Sequence, residues 1–192
     1  NNGSKTQYDV HGGFADVNND GRLDIMAVDM LPRTHERRMT QGGGMSIYGP
    51  FFDSTQRIMN TLHINQGNGR FAEIGYYSGI AATDWSWSIL AADFDHDGRN
   101  DIFISNGTKR DLTDQDFAYS VSAQQLQRDD TYASMPQRRL PNFLFRNLDG
   151  YRFADVTSGC GLTDSVVTNG AAMADLDDDG DLDLVLNNTD TV

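Results

Sequence analysis

The feature that most constrains this chain is its likeness to itself. Three segments share one layout: FADVNNDGRLDIMAV from Phe14, ADFDHDGRNDIFISNG from Ala92 and ADLDDDGDLDLVLNN from Ala174. Their first aspartates, Asp16, Asp93 and Asp175, lie 77 and then 82 residues apart. A second motif recurs at the 82-residue offset, NTLHINQGNGRFAEI from Asn60 and NFLFRNLDGYRFADV from Asn142. Residues 60–106 laid on 142–188 without a gap agree at 14 of 47 positions. A period of some tens of residues is the mark of stacked supersecondary units, each burying its apolar face against the next.

Within one unit the residues read as four short strands. LHIN turns through a Gly/Asn-rich hairpin into FAEI, SILAADF follows after Gly79-Ile80, and an Asp-rich loop joins it to DIFIS. Four strands in about 45 residues is the size of a β-propeller blade. The expected fold is therefore all-β, about two and a half four-stranded antiparallel units. The whole of 1–192 forms a single repeat region: a partial blade over 8–30, an insertion over 31–59, a blade over 60–106, an insertion over 107–141 and a blade over 142–188. The insertions carry the glycine run 42–44, most of the prolines and most of the arginines, and are expected to share one face. A helix is predicted near Asp114–Arg128, with Thr113 as its cap and Asp116 three residues on.

The Asp loops ask for a cation. Asp93, Asp95, Asp97 and Asp101 fall within nine residues, and each pair of charges costs on the order of 1 kcal/mol even in water. Alternate placement aims oxygens at a common centre, Gly98 permits the turn, and hard oxygen donors in a flexible loop suit calcium. An EF-hand would put a bidentate Glu at position 12, where the three loops carry Ala27, Ile104 and Leu186. Each loop instead offers an acid at position 9. The predicted ligands are side chains at positions 1, 3, 5 and 9 and the carbonyl at position 7. In the first loop these are Asp16, Asn18, Asp20, Asp24 and Arg22. In the second they are Asp93, Asp95, Asp97, Asp101 and Arg99, and in the third Asp175, Asp177, Asp179, Asp183 and Asp181. Three calcium ions would move the formal charge from −13 to −7. A lone Asp/Gly-rich turn needs no metal, but three copies with the same ninth-position acid go beyond turn chemistry.

Charge and composition exclude other classes. With 15 basic and 28 acidic residues the chain repels nucleic acid and anionic membranes. Cys160 is the only cysteine, so no internal disulfide, zinc cluster or CxxC pair can form. No apolar run approaches the roughly 20 residues that span a bilayer, and any export leader is expected to have been removed or to lie in a part of the protein outside this sequence.

Remaining candidates are weighed against plainer readings. Trp85 and Trp87 could stack on a sugar, but aromatics beside a strand more often pack a core. Arg33, His35, Arg37 and Arg38 could grip an acidic partner or glycan, with a solvated charged loop the plainer alternative. His11, His35, His63 and His96 show no paired metal spacing, and His96 is expected to face solvent. No GxSxG elbow, P-loop or GxGxxG is present.

FADVNNDGRLDI, ADFDHDGRNDIFISNG and ADLDDDGDLDLVLNN, with LHINQGNGRFAEI and LFRNLDGYRF, resemble the FG-GAP or VCBS repeat of integrin alpha-subunit propellers and of many bacterial surface proteins. DMLP at 29–32, TDWSWSILAADFDHDG at 83–98, NGTKRD at 106–111 and LPNFLFRN at 140–147 are similar to bacterial repeat proteins with an ASPIC/UnbV-type domain. The resemblance implies a calcium-stabilised, non-enzymatic propeller displayed outside the cytoplasm, on the cell surface or in the periplasm. Such a module would bind a protein or glycan. Two and a half units do not close a propeller, so a segment of a larger one is expected, the alternative being open blade edges covered by the insertions or by a second copy of the chain. The alternative is part of a secreted polysaccharide-active lyase or hydrolase built on the same scaffold.

Overall fold

The computed structural model of the protein describes residues 11–41, 58–111, 113–124 and 132–189. The glycine run 42–44, residues 8–10 of the predicted partial blade and the predicted helix beyond Gln124 lie outside the described residues. Ten strands dominate. The first hairpin joins β1 (His11–Ala15) to β2 (Asp24–Val28) through the first Asp loop, with Ala15 opposite Asp24 and His11 opposite Val28. A second hairpin joins β3 (Thr61–Gly67) to β4 (Arg70–Glu73). Its two-residue turn is Asn68-Gly69, with φ of 54° and 71°, the left-handed pair that matches the twist of antiparallel strands.

The same alternation follows. β5 (Ser86–Ala92) and β6 (Asp101–Asn106) flank the second Asp loop; β7 (Phe143–Asn147) and β8 (Phe153–Asp155) form the next hairpin; β9 (Thr168–Ala174) and β10 (Asp183–Asn188) flank the third loop. The strands assemble into two four-stranded sheets, β1-β2-β3-β4 and β5-β6-β7-β8, and a two-stranded one, β9 with β10. All described pairings are antiparallel.

The fold is thus all-β in two and a half blade-like units, as the sequence predicts, but the strand grouping needs correction. The sequence unit 60–106 is not one sheet: β3 and β4 close the first sheet, and β5 and β6 open the second. The same division falls within 142–188, where β7 and β8 close the second sheet and β9 and β10 open the next. The physical reason is hydrogen bonding across the insertions. Met26 on β2 lies opposite Leu62 on β3, and Phe103 on β6 opposite Leu144 on β7. Each insertion is therefore a detour within a sheet.

One apolar cluster joins the sheets: Val17, Met26, Val28, Leu62, Ile64, Ile80, Ile89, Ile102, Ile104, Phe143, Phe145 and Phe153 are buried in it. β5 packs on both β1 and β9, so the first strands of successive sheets are neighbours. Fully burying one such aliphatic or aromatic side chain is worth about 1.5–3 kcal/mol. β6, apolar on both faces, is buried at every residue.

Short helices punctuate the connections. After each outer hairpin comes a single helical turn, α2 at Gly75–Ser78 and a 3-10 turn at Thr157–Cys160, each ended by a left-handed glycine, Gly79 and Gly161. In the first insertion α1 (His35–Thr40) starts at Thr34, whose hydroxyl accepts from the Arg37 amide at 3.2 Å. In the second, α3 (Gln115–Gln124) is capped by Asp114, whose Oδ1 accepts from the Phe117 amide at 2.9 Å. The predicted cap, Thr113, instead donates its hydroxyl to Asp111 Oδ1 at 2.7 Å.

Candidate metal centres

The three Asp loops repeat one hydrogen-bond plan. The position-1 carboxylate accepts from the amides of positions 5 and 6: Asp16 from Asp20 and Gly21 (3.0 and 2.7 Å), Asp93 from Asp97 and Gly98 (3.0 and 2.8 Å), Asp175 from Asp179 and Gly180 (3.2 and 3.0 Å). The position-5 carboxylate accepts from the amide of position 7, as Asp20, Asp97 and Asp179 do at 2.9, 3.0 and 2.9 Å. The turn needs a left-handed residue at position 6, and Gly21, Gly98 and Gly180 have φ of 81°, 85° and 94°.

Position 9 closes the loop. Asp24 Oδ2 accepts from the Val17 amide at 3.0 Å, Asp101 Oδ2 from Phe94 at 3.3 Å and Asp183 Oδ2 from Leu176 at 3.0 Å. In the complete sheets the other oxygen reaches the next strand: Asp24 Oδ1 accepts from the Asn65 amide at 2.8 Å, and Asp101 Oδ1 from Asn147 at 2.7 Å. The ninth-position acid is thus a clamp between loop and sheet. Burial pushes both carboxyls above their ordinary range, against the backbone donors; neighbouring carboxylates, Asp20 and Asp16 for Asp24, and Asp95 and Asp97 for Asp101, push the same way.

The carboxylates do not converge alike. Asp93, Asp95 and Asp101 bring an oxygen each within 4.8 Å of one another, and so do Asp175, Asp177 and Asp179. Asp97 stays out of the second group because Arg99 Nη2 donates to its Oδ2 at 2.5 Å. The first loop has the same pairing of Arg22 with Asp20 Oδ2, an oxygen that also accepts from Asn18 Nδ2 at 3.0 Å, and at position 3, where the second trio has Asp95, it carries the amide Asn18 in place of a carboxylate. The third loop carries Asp181 in place of that arginine, and there position 5 joins the group while Asp183 does not. The donor sets are all oxygen, the chemistry that a hard cation takes. The residue at position 7, arginine in the second loop and Asp181 in the third, marks whether the position-5 carboxylate joins its group.

The loops lie side by side. Asn19 Nδ2 donates to Gly98 O at 2.8 Å, Asn100 Nδ2 to Asp16 O at 2.8 Å, and His96 Nε2 pairs with Asp181 Oδ1 at 2.8 Å. The β7–β8 turn joins them, with Asn147 Nδ2 donating to Val17 O at 2.8 Å.

Residues of the two insertions are tied together by buried charge. Arg37 pairs with Asp84 at 3.0 Å and Asp111 at 3.2 Å, and Arg138 with Asp111 at 2.7 Å and also with Asp114. Burial would raise the Asp111 carboxyl, but hydrogen bonds from Arg138 and Thr113 and the charge of Arg37 outweigh it and hold it below the ordinary range. Arg33 pairs with Asp155 at 2.7 Å and lies over the Phe143 ring at 4.7 Å, while Arg38 Nε donates to Pro32 O at 2.8 Å. The arginines read from sequence as a solvated loop or a grip on a partner hold this chain's own groups. His35 opens α1 exposed, His11 is exposed on β1 and His63 half-buried on β3. Trp85 is buried and stacks on Trp87 at 6.2 Å between centroids, the packing role rather than an open platform.

Comparison with known proteins agrees with this repeat. Residues 49–104 match the family model of the FG-GAP-like repeat. Among curated proteins no match is found. The matched segment ends on β6 and includes β3, β4, β5 and the second Asp loop, so the repeat defined by sequence straddles two sheets. That match shows an FG-GAP-like repeat over residues 49–104 of the chain.

Proposed function

We propose that the chain is a calcium-binding, non-catalytic propeller segment that serves as a recognition or scaffold module outside the cytoplasm, its loops and insertions contacting a protein or glycan. The observation that carries the reading is the threefold loop plan, with two trios of carboxylate oxygens drawn within 4.8 Å. Calcium would be held in the second loop by Asp93, Asp95 and Asp101, and in the third by Asp175, Asp177 and Asp179. It supplies the positive charge that their mutual repulsion asks for. The matching first-loop donors would be Asp16, Asn18 and Asp24. An ion that binds only the folded chain stabilises it by mass action.

Calorimetric titration with Ca²⁺ and Mg²⁺ tests the reading. Calcium is expected to bind in preference, with dissociation constants on the order of 10⁻⁴–10⁻³ M. Asp95→Ala and Asp177→Ala each remove one site, and Arg99→Ala, which frees Asp97, tightens the second. No calcium heat and no rise in unfolding temperature at millimolar calcium would refute it. Turnover of polysaccharides by the calcium-loaded chain would refute the non-catalytic part.

A further inference from the structure

The first two Asp loops share main-chain bonds as well as a face. Asn147, fully buried at the end of β7, gives its amide to the clamp carboxylate of the second loop, Asp101 Oδ1, at 2.7 Å. Its Nδ2 donates to Asn100 O in the second loop at 2.9 Å and to Val17 O in the first at 2.8 Å. One buried side chain thus pins the main chains of both. Its Oδ1 accepts from the Gly150 amide at 2.7 Å, and a Cβ at Gly150 would come within 2.8 Å of Asn18 Cα, so the β7–β8 turn sits directly on the first loop.

Two reciprocal side chains complete the junction. Asn19, at position 4 of the first loop, donates to Gly98 O in the second, and Asn100, at position 8 of the second, donates to Asp16 O in the first, both at 2.8 Å. Asn19 holds a left-handed φ of 57°, a conformation that asparagine tolerates better than most residues. The carbonyls that accept belong to the main chain that carries the candidate ligands. Asp16 is one itself, Val17 follows it, Gly98 lies between Asp97 and Arg99, and Asn100 precedes Asp101. Neither loop can move its ligands without breaking bonds to the other. The third loop is held differently, meeting the second through His96 and Asp181, side chains 56% and 74% exposed, a pairing of the kind that contributes little. We infer that Asn147, Asn100 and Asn19 are positioning residues that fuse the first and second loops into one cooperative unit, so that a cation filling either one pre-orders the other while the third binds by itself. Ordering a loop costs conformational entropy, and a loop already held by its occupied neighbour loses less of it on binding. The coupling of cations rests on the calcium reading above; the union of the loops does not.

Amide exchange in chelator reads the union of the loops without a cation. Asn100→Ala, in the second loop, is expected to speed exchange at 17–21 in the first by about fivefold or more. Asn19→Gly, which keeps the left-handed turn, should do the same at 94–99 in the second, with 176–180 in the third unmoved. Calcium titration reads the coupling, in a chain carrying Asp177→Ala so that the third loop is silent. Asp16→Asn is then expected to weaken the second loop by about fivefold or more, and Asp95→Ala to weaken the first by the same factor, because linkage is reciprocal. With Asn19→Gly and Asn100→Ala added, both factors should vanish, which a merely structural role for these side chains would not produce. Exchange that changes only in the substituted loop overturns the inference, and so does a second-loop affinity indifferent to Asp16→Asn. Coupled exchange without calcium heat supports the loop unit and refutes the calcium reading alone.

Discussion

Removing the same loop position in two repeats, Asp101→Ala and Asp183→Ala, tests whether the ninth acid is a clamp. Asp101 is 2% exposed and accepts amides from Phe94 and Asn147, at 3.3 and 2.7 Å. Leaving a buried donor unsatisfied costs about 1–3 kcal/mol, so two would cost about 2–6. Part returns, because burial and the neighbouring carboxylates Asp95 and Asp97 already disfavour the charged side chain. The expectation is a net loss of about 2 kcal/mol. At about 2–4 °C per kcal/mol for a chain of this size, the unfolding midpoint should fall by about 4–8 °C. Asp183 is exposed and holds one amide, so its loss should stay within about 0.5 kcal/mol, as for surface positions. Thermal unfolding in chelator, which keeps cation binding out of the comparison, reads both. Equal shifts for the two variants would refute the argument, since only Asp101 bridges to a further strand.

Two further outcomes are expected. Asp111→Ala strands Arg37 and Arg138 beside a buried gap and should cost about 3 kcal/mol by urea unfolding. Because the Asp111 carboxyl lies below its unfolded value, its stabilisation is complete above that value, 3.8, and is lost as pH falls through the folded one; the variant's acid-unfolding curve should lack this limb. Gly150→Ala should destabilise more than Gly161→Ala. Both have positive φ, 84° and 74°, but a Cβ at 150 would come within 2.8 Å of the Asn18 backbone whereas at 161 it meets nothing. The shared conformational cost is about 1–2 kcal/mol, so a midpoint difference near zero would show that the first loop yields freely.

Much of this was legible because loop chemistry is local. Asp at positions 1 and 5 and Gly at 6 dictate a turn whose hydrogen bonds span at most five residues, and Asn68-Gly69 dictates its hairpin. The phase of the sheets was not legible. A tandem repeat reads the same wherever it is cut, and the pairing of Met26 with Leu62 across an insertion has no local mark. The network of Arg37, Asp84, Asp111, Asp114 and Arg138 was hidden for the same reason: its members are far apart in sequence and meet only when the insertions do. The second and third loops differ through the side chain at position 7, since Arg99 holds Asp97 where Asp181 cannot hold Asp179.

Each complete sheet is two hairpins joined along a seam, β2 to β3 and β6 to β7, with residues 29–60 and 107–142 running between the halves. Closing a longer loop costs little more, about 0.6 kcal/mol for each doubling of length. The seam is therefore tolerant of what is spliced into the detour but slow to form, since distant pairing waits on chain closure. Cleavage within either detour would leave the halves held by their mutual fit alone, so the molecule is divisible into complementary fragments at the points where its sequence is least regular.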